Sequence, residues 1–408
     1  MANNNNTKNL NVPNLRFPEF KGEWKLNILD SVCTFHNGRA YKQHELLSAG
    51  KYRVLRVGNF FTNDSWYYSD LELEEDKTAS DGELLYAWSA SFGPRFWKGE
   101  KVIYHYHIWK IDSFQEVCKE FLFYFLEKDA ASIKNEVQGG TMAHITKADM
   151  ERRNITYPTI CEQSKIARLL FLLDHRIATQ NKIIEKYESL IKGIGNKLFS
   201  FKMRFKTNDG NDFPSWKTKS FENIGKTFSG LSGKAKEDFG IGKPFIQYKQ
   251  VFDSPQIQIQ NCGLVNVSDS ENQNNVKYGD VFFTVSSETP DEIGMSSVLL
   301  DEVDEMYLNS FCFGYRLSSF EVLNPLYASY FFRDSSFRNK VVKIAQGSTR
   351  YNISKSEFIK LKISLPCIEE QARIASFLSA VDEKIKEEKE ILALYLIQKN
   401  HLLRQMVI

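Results

Sequence analysis

The chain has 408 residues, 42% of them hydrophobic and 13% aromatic, enough for two or three domains that each bury a real core. With 53 lysines and arginines against 51 aspartates and glutamates, the net charge of +2 excludes a histone-like polycation and leaves any nucleic-acid contact to local asymmetry. Six scattered cysteines (Cys33, Cys118, Cys161, Cys262, Cys312, Cys367) form no CxxC pair, and no apolar run is long enough to span a bilayer, so a reduced, cytoplasmic protein is expected.

In chain order, Met1 to Asn11 is rich in asparagine and is expected to be disordered, within a disordered or entry segment over residues 1–19. A first mixed domain is expected over residues 20–157. Within it, Leu84 to Trp88 follows an Asp81-Gly82 turn and predicts a buried strand. Ser89 to Lys98 predicts a loop, Val102 to Trp109 a β-branched and aromatic strand, and Phe114 to Glu127 a helix. Residues 158–206 predict a long helix. From Ile166, steps of four and three meet Leu170, Leu173, Ile177, Gln180, Ile184, Tyr187, Ile191, Ile194 and Leu198, the a/d seam of a coiled coil with one polar step. A second domain follows over 207–365, with a strand from Tyr278 to Thr284, a loop from Ser286 to Gly294, a strand from Phe311 to Leu317 and a helix from Pro325. Residues 366–408 predict the second long helix: Ile374, Leu378, Val381, Ile385, Glu388, Leu392, Tyr395, Lys399, Leu402 and Met406 repeat the same steps, with polar Glu388 opposite Gln180.

The second half is therefore an internal duplication of the first. Pro158, Ile160, Glu162 and Gln163 match Pro366, Ile368, Glu370 and Gln371, and the run from Gln138 to Thr141 matches Gln346 to Thr349. Trp24, Lys25 and Gly38 match Trp216, Lys217 and Gly230 at another constant offset. The stretches between these anchors share little sequence. A scaffold is repeated while the surface it presents varies, which suits recognition better than a single active site.

No catalytic constellation emerges. Asn324-Pro325-Leu326-Tyr327 approaches the NPPY element of amino-methyltransferases but lacks the second proline, no glycine-rich cofactor turn precedes it, and its proline fits the first turn of a helix. There is no phosphate loop, and His105 and His107, two imidazoles on one strand face, have no companions at metal-ligand spacing. The loops instead carry nucleic-acid chemistry. Trp88, Ser89, Ser91, Arg95 and Lys98 interleave donors with flat rings, arginine matches guanine edges, and hydroxyls match phosphates. His105 and His107 join them as DNA-facing candidates. In the second domain the matching loop offers Thr284, Ser286, Ser287 and Glu288, the last able to accept from cytosine N4. Thr141 and the turn Ser348-Thr349-Arg350 are candidates for backbone contact.

With the duplication, the lead-in from Leu15-Arg16-Phe17-Pro18-Glu19-Phe20 to Gly22-Glu23-Trp24 and the exit pattern PxIxEQxxIA, the whole chain resembles the specificity subunits of type I restriction–modification systems. The resemblance implies an α+β fold: two mixed α/β target-recognition domains in pseudo-two-fold arrangement, separated by two long helices that form an antiparallel coiled coil. It implies double-stranded DNA with a bipartite site as ligand, and two methyltransferase and two restriction/translocase subunits as partners that carry the chemistry. No cofactor, metal or membrane is expected for this chain. A stand-alone DNA-binding regulator and a fused methyltransferase–nuclease are the alternatives; the long seam and near-neutral charge fit the first poorly, and the second needs catalytic motifs that the sequence lacks.

Overall fold

In the computed structural model, which describes residues 11–61, 63–89, 92–136 and 145–408, the two seams form helices Ile160–Phe199 and Ile368–Met406. Ile166, Leu170, Leu173, Gln180, Ile184 and Leu198 are buried on one, and Ile374, Leu378, Ile385, Glu388 and Met406 on the other. The chain divides into two compact units, residues 1–181 with 390–408, and residues 182–389, so each long helix supplies half of itself to each unit. In the first unit, Ile166 and Leu170 share a core with Leu403 and Met406, Asp174 meets Lys399 at 2.7 Å, and Arg176 reaches the Tyr395 hydroxyl at 3.4 Å. Residue numbers rise along one helix as they fall along the other, which makes the pairing antiparallel. The second unit repeats this, with Ile194 and Leu198 in one core with Leu378 and Ile374, and Glu188 on Lys389 at 2.7 Å.

Each unit hangs a mixed domain on its helix pair. In the first, Lys25–Ile28 pairs antiparallel with Asn154–Tyr157. A four-stranded sheet runs in the order Thr34–Asn37, Ile108–Asp112, Leu84–Ala87, Gly93–Phe96, and a second in the order Tyr67–Ser69, Tyr52–Leu55, Val102–Tyr104, Thr78–Ala79. Helix Lys119–Glu136 packs Phe121, Leu122 and Phe125 into the core with Trp24, Phe35 and Trp109, where each buried large side chain contributes roughly 1.5–3 kcal/mol. The second unit has the same plan. Lys217–Ser220 pairs with Lys362–Leu365, a sheet runs Gly225–Ser229, Cys312–Leu317, Val281–Thr284, Ser296–Val298, and a smaller one runs Gly263–Val265, Phe239–Ile246, Tyr307–Leu308.

The repeated sequence anchors are the joints of this frame. Glu162, 1% exposed, takes a bidentate bond from Arg16 at 2.7 Å to each oxygen; Glu370, fully buried, takes the same from Arg204 at 3.0 and 2.6 Å. Gln163 accepts from the Cys118 amide and donates to the carbonyls of Glu116 and Pro158. Gln371 does the same with Asn324, Val322 and Pro366, so the Glu-Gln pair latches the long helix onto the start of the packing helix. Gly38 and Gly230 mark a close backbone crossing: a Cβ would stand 2.3 Å from the His105 carbonyl oxygen in one and 2.1 Å from that of Asn309 in the other.

The structure departs from several local expectations. The lead-in is not among them: Met1 to Leu10, where disorder is expected, lie outside the described residues, and the entry stretch beyond is held by the Leu15 amide on the Gln405 carbonyl at 3.0 Å and by Arg16 on Glu162. The strand expected over Val102 to Trp109 is broken by a turn at His105–His107, closed by the Ile108 amide on the His105 carbonyl at 2.9 Å. The helix expected from Phe114 begins at Lys119, because Ser113 and Glu116 sit at φ 53° and 56°, outside helical space. Within Ser89 to Lys98, residues 93–96 form an edge strand, and in the second unit Ser286–Ser287 pairs with Tyr351–Asn352.

Candidate nucleic-acid interface

In the first unit the broken strand creates the candidate site. The Trp88 amide bonds the His107 carbonyl at 3.1 Å and its indole N–H bonds the Tyr106 carbonyl at 2.8 Å. Its ring stacks on Trp109 and meets His107 edge-on at 5.0 Å. Tyr41 stacks on His105, and the Arg39 guanidinium lies 5.3 Å over Tyr41, steered by Glu45 at 2.7 Å. Burial, helped by the neighbouring His107 and Arg56, brings the His105 imidazole down to about 4, so the ring is neutral at pH 7 and offers one donor and one acceptor. Trp88, His105 and His107 are thus brought together, with Arg39, Tyr41, Arg56 and Tyr106, which sequence reasoning missed.

The other candidates of this unit lie elsewhere. Arg95 is exposed on the edge strand with its guanidinium 5.1 Å over Phe61, and Lys98 is exposed in the turn that follows. Ser89 is buried and offers no surface to a phosphate. Ser91 and Thr141 lie outside the described residues.

In the second unit, the pairing of Ser286–Ser287 with Tyr351–Asn352 sets the exposed turn Ser348-Thr349-Arg350 beside the loop after the central strand. Gly347 makes that turn possible: its φ is 120°, and a Cβ would fall 2.1 Å from the Arg350 carbonyl oxygen. Arg350 donates to the Ser286 hydroxyl at 3.3 Å, Tyr248 donates to the Ser286 carbonyl at 2.9 Å, and Ser287 and Thr289 donate to Glu292 at 3.5 and 2.7 Å. Ser286 and Ser287 therefore brace the loop, while Glu288, Ser348, Thr349 and Arg350 face outward. Thr284 is 0% exposed at the end of a strand buried on both faces, so the expectation that it meets DNA is corrected.

The strand registers identify equivalent positions. Ala87 faces Ile108 as Thr284 faces Cys312, the His105 amide bonds Leu55 as the Asn309 amide bonds Ile246, and the Trp88 amide bonds His107 as the Val285 amide bonds Phe311. The turn Asn309-Ser310-Phe311 is therefore the counterpart of His105-Tyr106-His107, and Gln247 the counterpart of Arg56. None of this second set was found from sequence. The repeated glycines Gly38 and Gly230, each crossing one of these turns, were the available signal.

The methyltransferase-like tetrapeptide has a structural account. Asn324 caps helix Pro325–Phe331 by accepting from the Tyr327 amide at 3.0 Å, with Pro325 in the first turn. Among the described residues no group of three or more His, Cys, Asp or Glu side chains is placed to hold a metal ion, and no helix is long and apolar enough to cross a membrane.

Comparison with known proteins agrees with this twofold plan. The profile of the type I restriction modification DNA specificity domain (Methylase_S) matches twice, at residues 21–189 and 195–394. The type I restriction enzyme MjaVIII specificity subunit of Methanocaldococcus jannaschii is 24% identical over 76% of this chain and 75% of its own length. The EcoKI specificity subunit of Escherichia coli K12 is 23% identical over 86% of this chain and 80% of its own. Among solved structures, the S subunit of a type I system from M. genitalium superposes with a TM-score of 0.56 at 15% identity, over 97% of this chain and 99% of that one. A chain from a structure of type I R-M complex assembly and conformational transition superposes at 0.57, also at 15% identity, over 93% and 96%. The twin frame, the divergent strand ends and the double profile match together place this chain in the family of type I restriction–modification DNA specificity subunits.

Proposed function

We propose that each unit reads one half of a bipartite site in double-stranded DNA, that the two long helices set the gap between the half-sites and dock two methyltransferase subunits, and that methylation, translocation and cutting reside in partner chains. The observation that carries this reading is the contrast between joints and strand ends. Arg16–Glu162 and Arg204–Glu370, Gln163 and Gln371, and Gly38 and Gly230 repeat almost atom for atom. The turns that the two glycines cross differ at every side chain, His105-Tyr106-His107 in one and Asn309-Ser310-Phe311 in the other. Two readers with unlike faces on like frames suit an asymmetric, two-part DNA site. In the first unit the readers are Trp88, His105, His107, Arg95 and Lys98; in the second they are Glu288, Ser348, Thr349 and Arg350.

Replacing residues 213–365 by the counterpart of a relative, joined through the same latches, tests it. Methylated adenines mapped in DNA exposed to the reconstituted complex will show one half-site changed and the other kept. A folded chimera that loses both halves sinks the reading of separate modules. The purified chain by itself is expected neither to bind S-adenosylmethionine nor to transfer its methyl group.

A further inference from the structure

The second unit has an apolar cleft at the strand ends that the reading above leaves unused. It has a volume of about 680 Å³ and is lined by Leu231, Phe239, Phe245, Leu264 and Phe311, together with Gln247. Phe311 is 59% exposed, yet its backbone is fixed on both sides: its N–H donates to Asn309 Oδ1 at 2.8 Å, and its carbonyl accepts from the Val285 N–H at 3.0 Å. An exposed phenyl on a pinned turn is a preorganised contact rather than a stray surface residue. Gln247 is exposed, and Gly263 keeps room for it, since a Cβ there would come 3.1 Å from the Gln247 amide nitrogen and 2.6 Å from the Phe245 ring.

Resting on the reading of this unit as a DNA reader, we infer that Phe311 and Gln247 together read one A·T pair of the second half-site through the major groove. The chemistry selects that pair. The thymine 5-methyl is the apolar group that base edges present in the major groove, and a glutamine carboxamide matches the donor at adenine N6 and the acceptor at N7. An apolar wall and a carboxamide line the same cleft, and A·T presents a methyl and an amide-matching edge on one base pair. Phe311 lines the cleft and its ring is open to solvent, so it can meet an apolar group that enters there. In the first unit the same two places hold Arg56 and His107, so the equivalent position there is built without the apolar wall.

The test uses the specificity–methyltransferase complex, a duplex carrying its mapped site, and two atom-level lesions introduced at each A·T pair of the second half-site. Uracil for thymine removes only the methyl; 7-deazaadenine for adenine removes only the N7 acceptor. At one pair, each lesion is expected to weaken wild-type binding by about 4- to 30-fold, the range for a lost methyl contact or a lost hydrogen bond. Phe311→Ala should become indifferent to uracil there and stay sensitive to 7-deazaadenine, and Gln247→Met should do the reverse. Both residues are exposed, so the variants are expected to fold, and amide exchange of residues 182–389 that matches the wild type checks that. Wild-type indifference to both lesions throughout the second half-site, or a half-site with no A·T pair, overturns the inference. So does a Phe311→Ala complex that still distinguishes uracil from thymine. Failure of the broader reading looks different: the domain replacement would then leave the second half-site unchanged.

Discussion

The two units agree where charge is buried and disagree where the helix pair meets the packing helix. In the first, Lys399 lies between Asp174 at 2.7 Å and Glu127 at 2.8 Å, and the Tyr124 hydroxyl donates to Asp174 at 2.8 Å. In the second, the Tyr330 hydroxyl still donates to Asp382 at 2.6 Å, but Ile191 stands at the position of Lys399 and Arg333 at that of Glu127. Arg333 turns away to donate to the carbonyls of Ser296, Val251, Phe252 and Ser254, and burial brings it down to about 10. Burial likewise pushes the Asp382 carboxyl up despite the bond from Tyr330. The lesson is one of coupling. Glutamate, lysine and aspartate form one cluster in the first unit, and in the second the lysine and the glutamate are both replaced, as expected of groups whose charges depend on each other. The Arg–Glu clamps have no such alternative and are the same in both units.

The sharpest way to break the equivalence is to alter what the units share. Four residues inserted in each long helix, between Asn181 and Lys182 and between Lys389 and Glu390, lengthen the pair by roughly 6 Å and add little more than one turn. At about 3.4 Å per base pair, the preferred gap between half-sites should grow by one or two base pairs while the half-sites stay the same. The original site should fall toward non-specific affinity, a loss on the order of 10³-fold or more. Selection of bound sequences from a randomised-gap library reads this out, and an insertion complex that still prefers the original gap would show that the helices are not the ruler.

A smaller effect tests whether the clamps are local. Glu370→Ala leaves Arg204 part-buried without its carboxylate and should cost about 3–5 kcal/mol. The loss should fall on residues 182–389, with amide exchange accelerated there and the first half-site still protected in footprinting. Uniform acceleration in both units would mean that they unfold as one.

Arg95 sharpens the comparison of readers, because it has an exposed guanidinium on the edge strand of the first unit. Arg95→Ala should reduce discrimination at one base pair of the first half-site by about 1–3 kcal/mol if the guanidinium reads guanine. An equal loss on all sequences, with a flatter dependence on salt, assigns it to phosphate instead.

How much of this was legible in the sequence follows from what repeats. The a/d seams, the PxIxEQ latches and the two central strands are set by local period and by groups that must be buried and bonded, so Glu162, Gln163 and the run from Val281 to Thr284 were readable. The turns were not. The run from Val102 to Trp109 is β-branched and aromatic throughout, and only the tertiary crossing at Gly38 breaks it at His105. Thr284 carries a hydroxyl, which suggested a phosphate contact, but its position in a strand covered on both faces decides its burial. Phe311 was hidden for the opposite reason: an exposed phenylalanine at the start of a strand pattern reads as core until the register shows it facing out.

The last comparison exchanges a single residue between the units. His105 and Asn309 occupy equivalent turns, each with its carbonyl beneath the crossing glycine. Burial, then His107 and Arg56, lowers the His105 imidazole from 6.5 to about 4 in the folded chain. The unfolded chain therefore binds more protons than the folded one between those values. The stabilisation that comes from keeping this ring neutral is present above pH 6.5 and is lost as the pH falls toward 4. His105→Asn supplies the side chain of the second unit, which has no proton to gain. The variant should lose that part of the acid sensitivity, so that its first unit weakens less between pH 6.5 and 4, while the carboxylate-driven loss at lower pH remains. Following the imidazole carbon-bound protons by NMR, together with chemical unfolding at pH 7 and pH 5, separates the two. A His105 signal that titrates near 6.5, or identical pH dependence in parent and variant, would show that the turn leaves the ring open to water, and that the two units differ there in chemistry but not in burial.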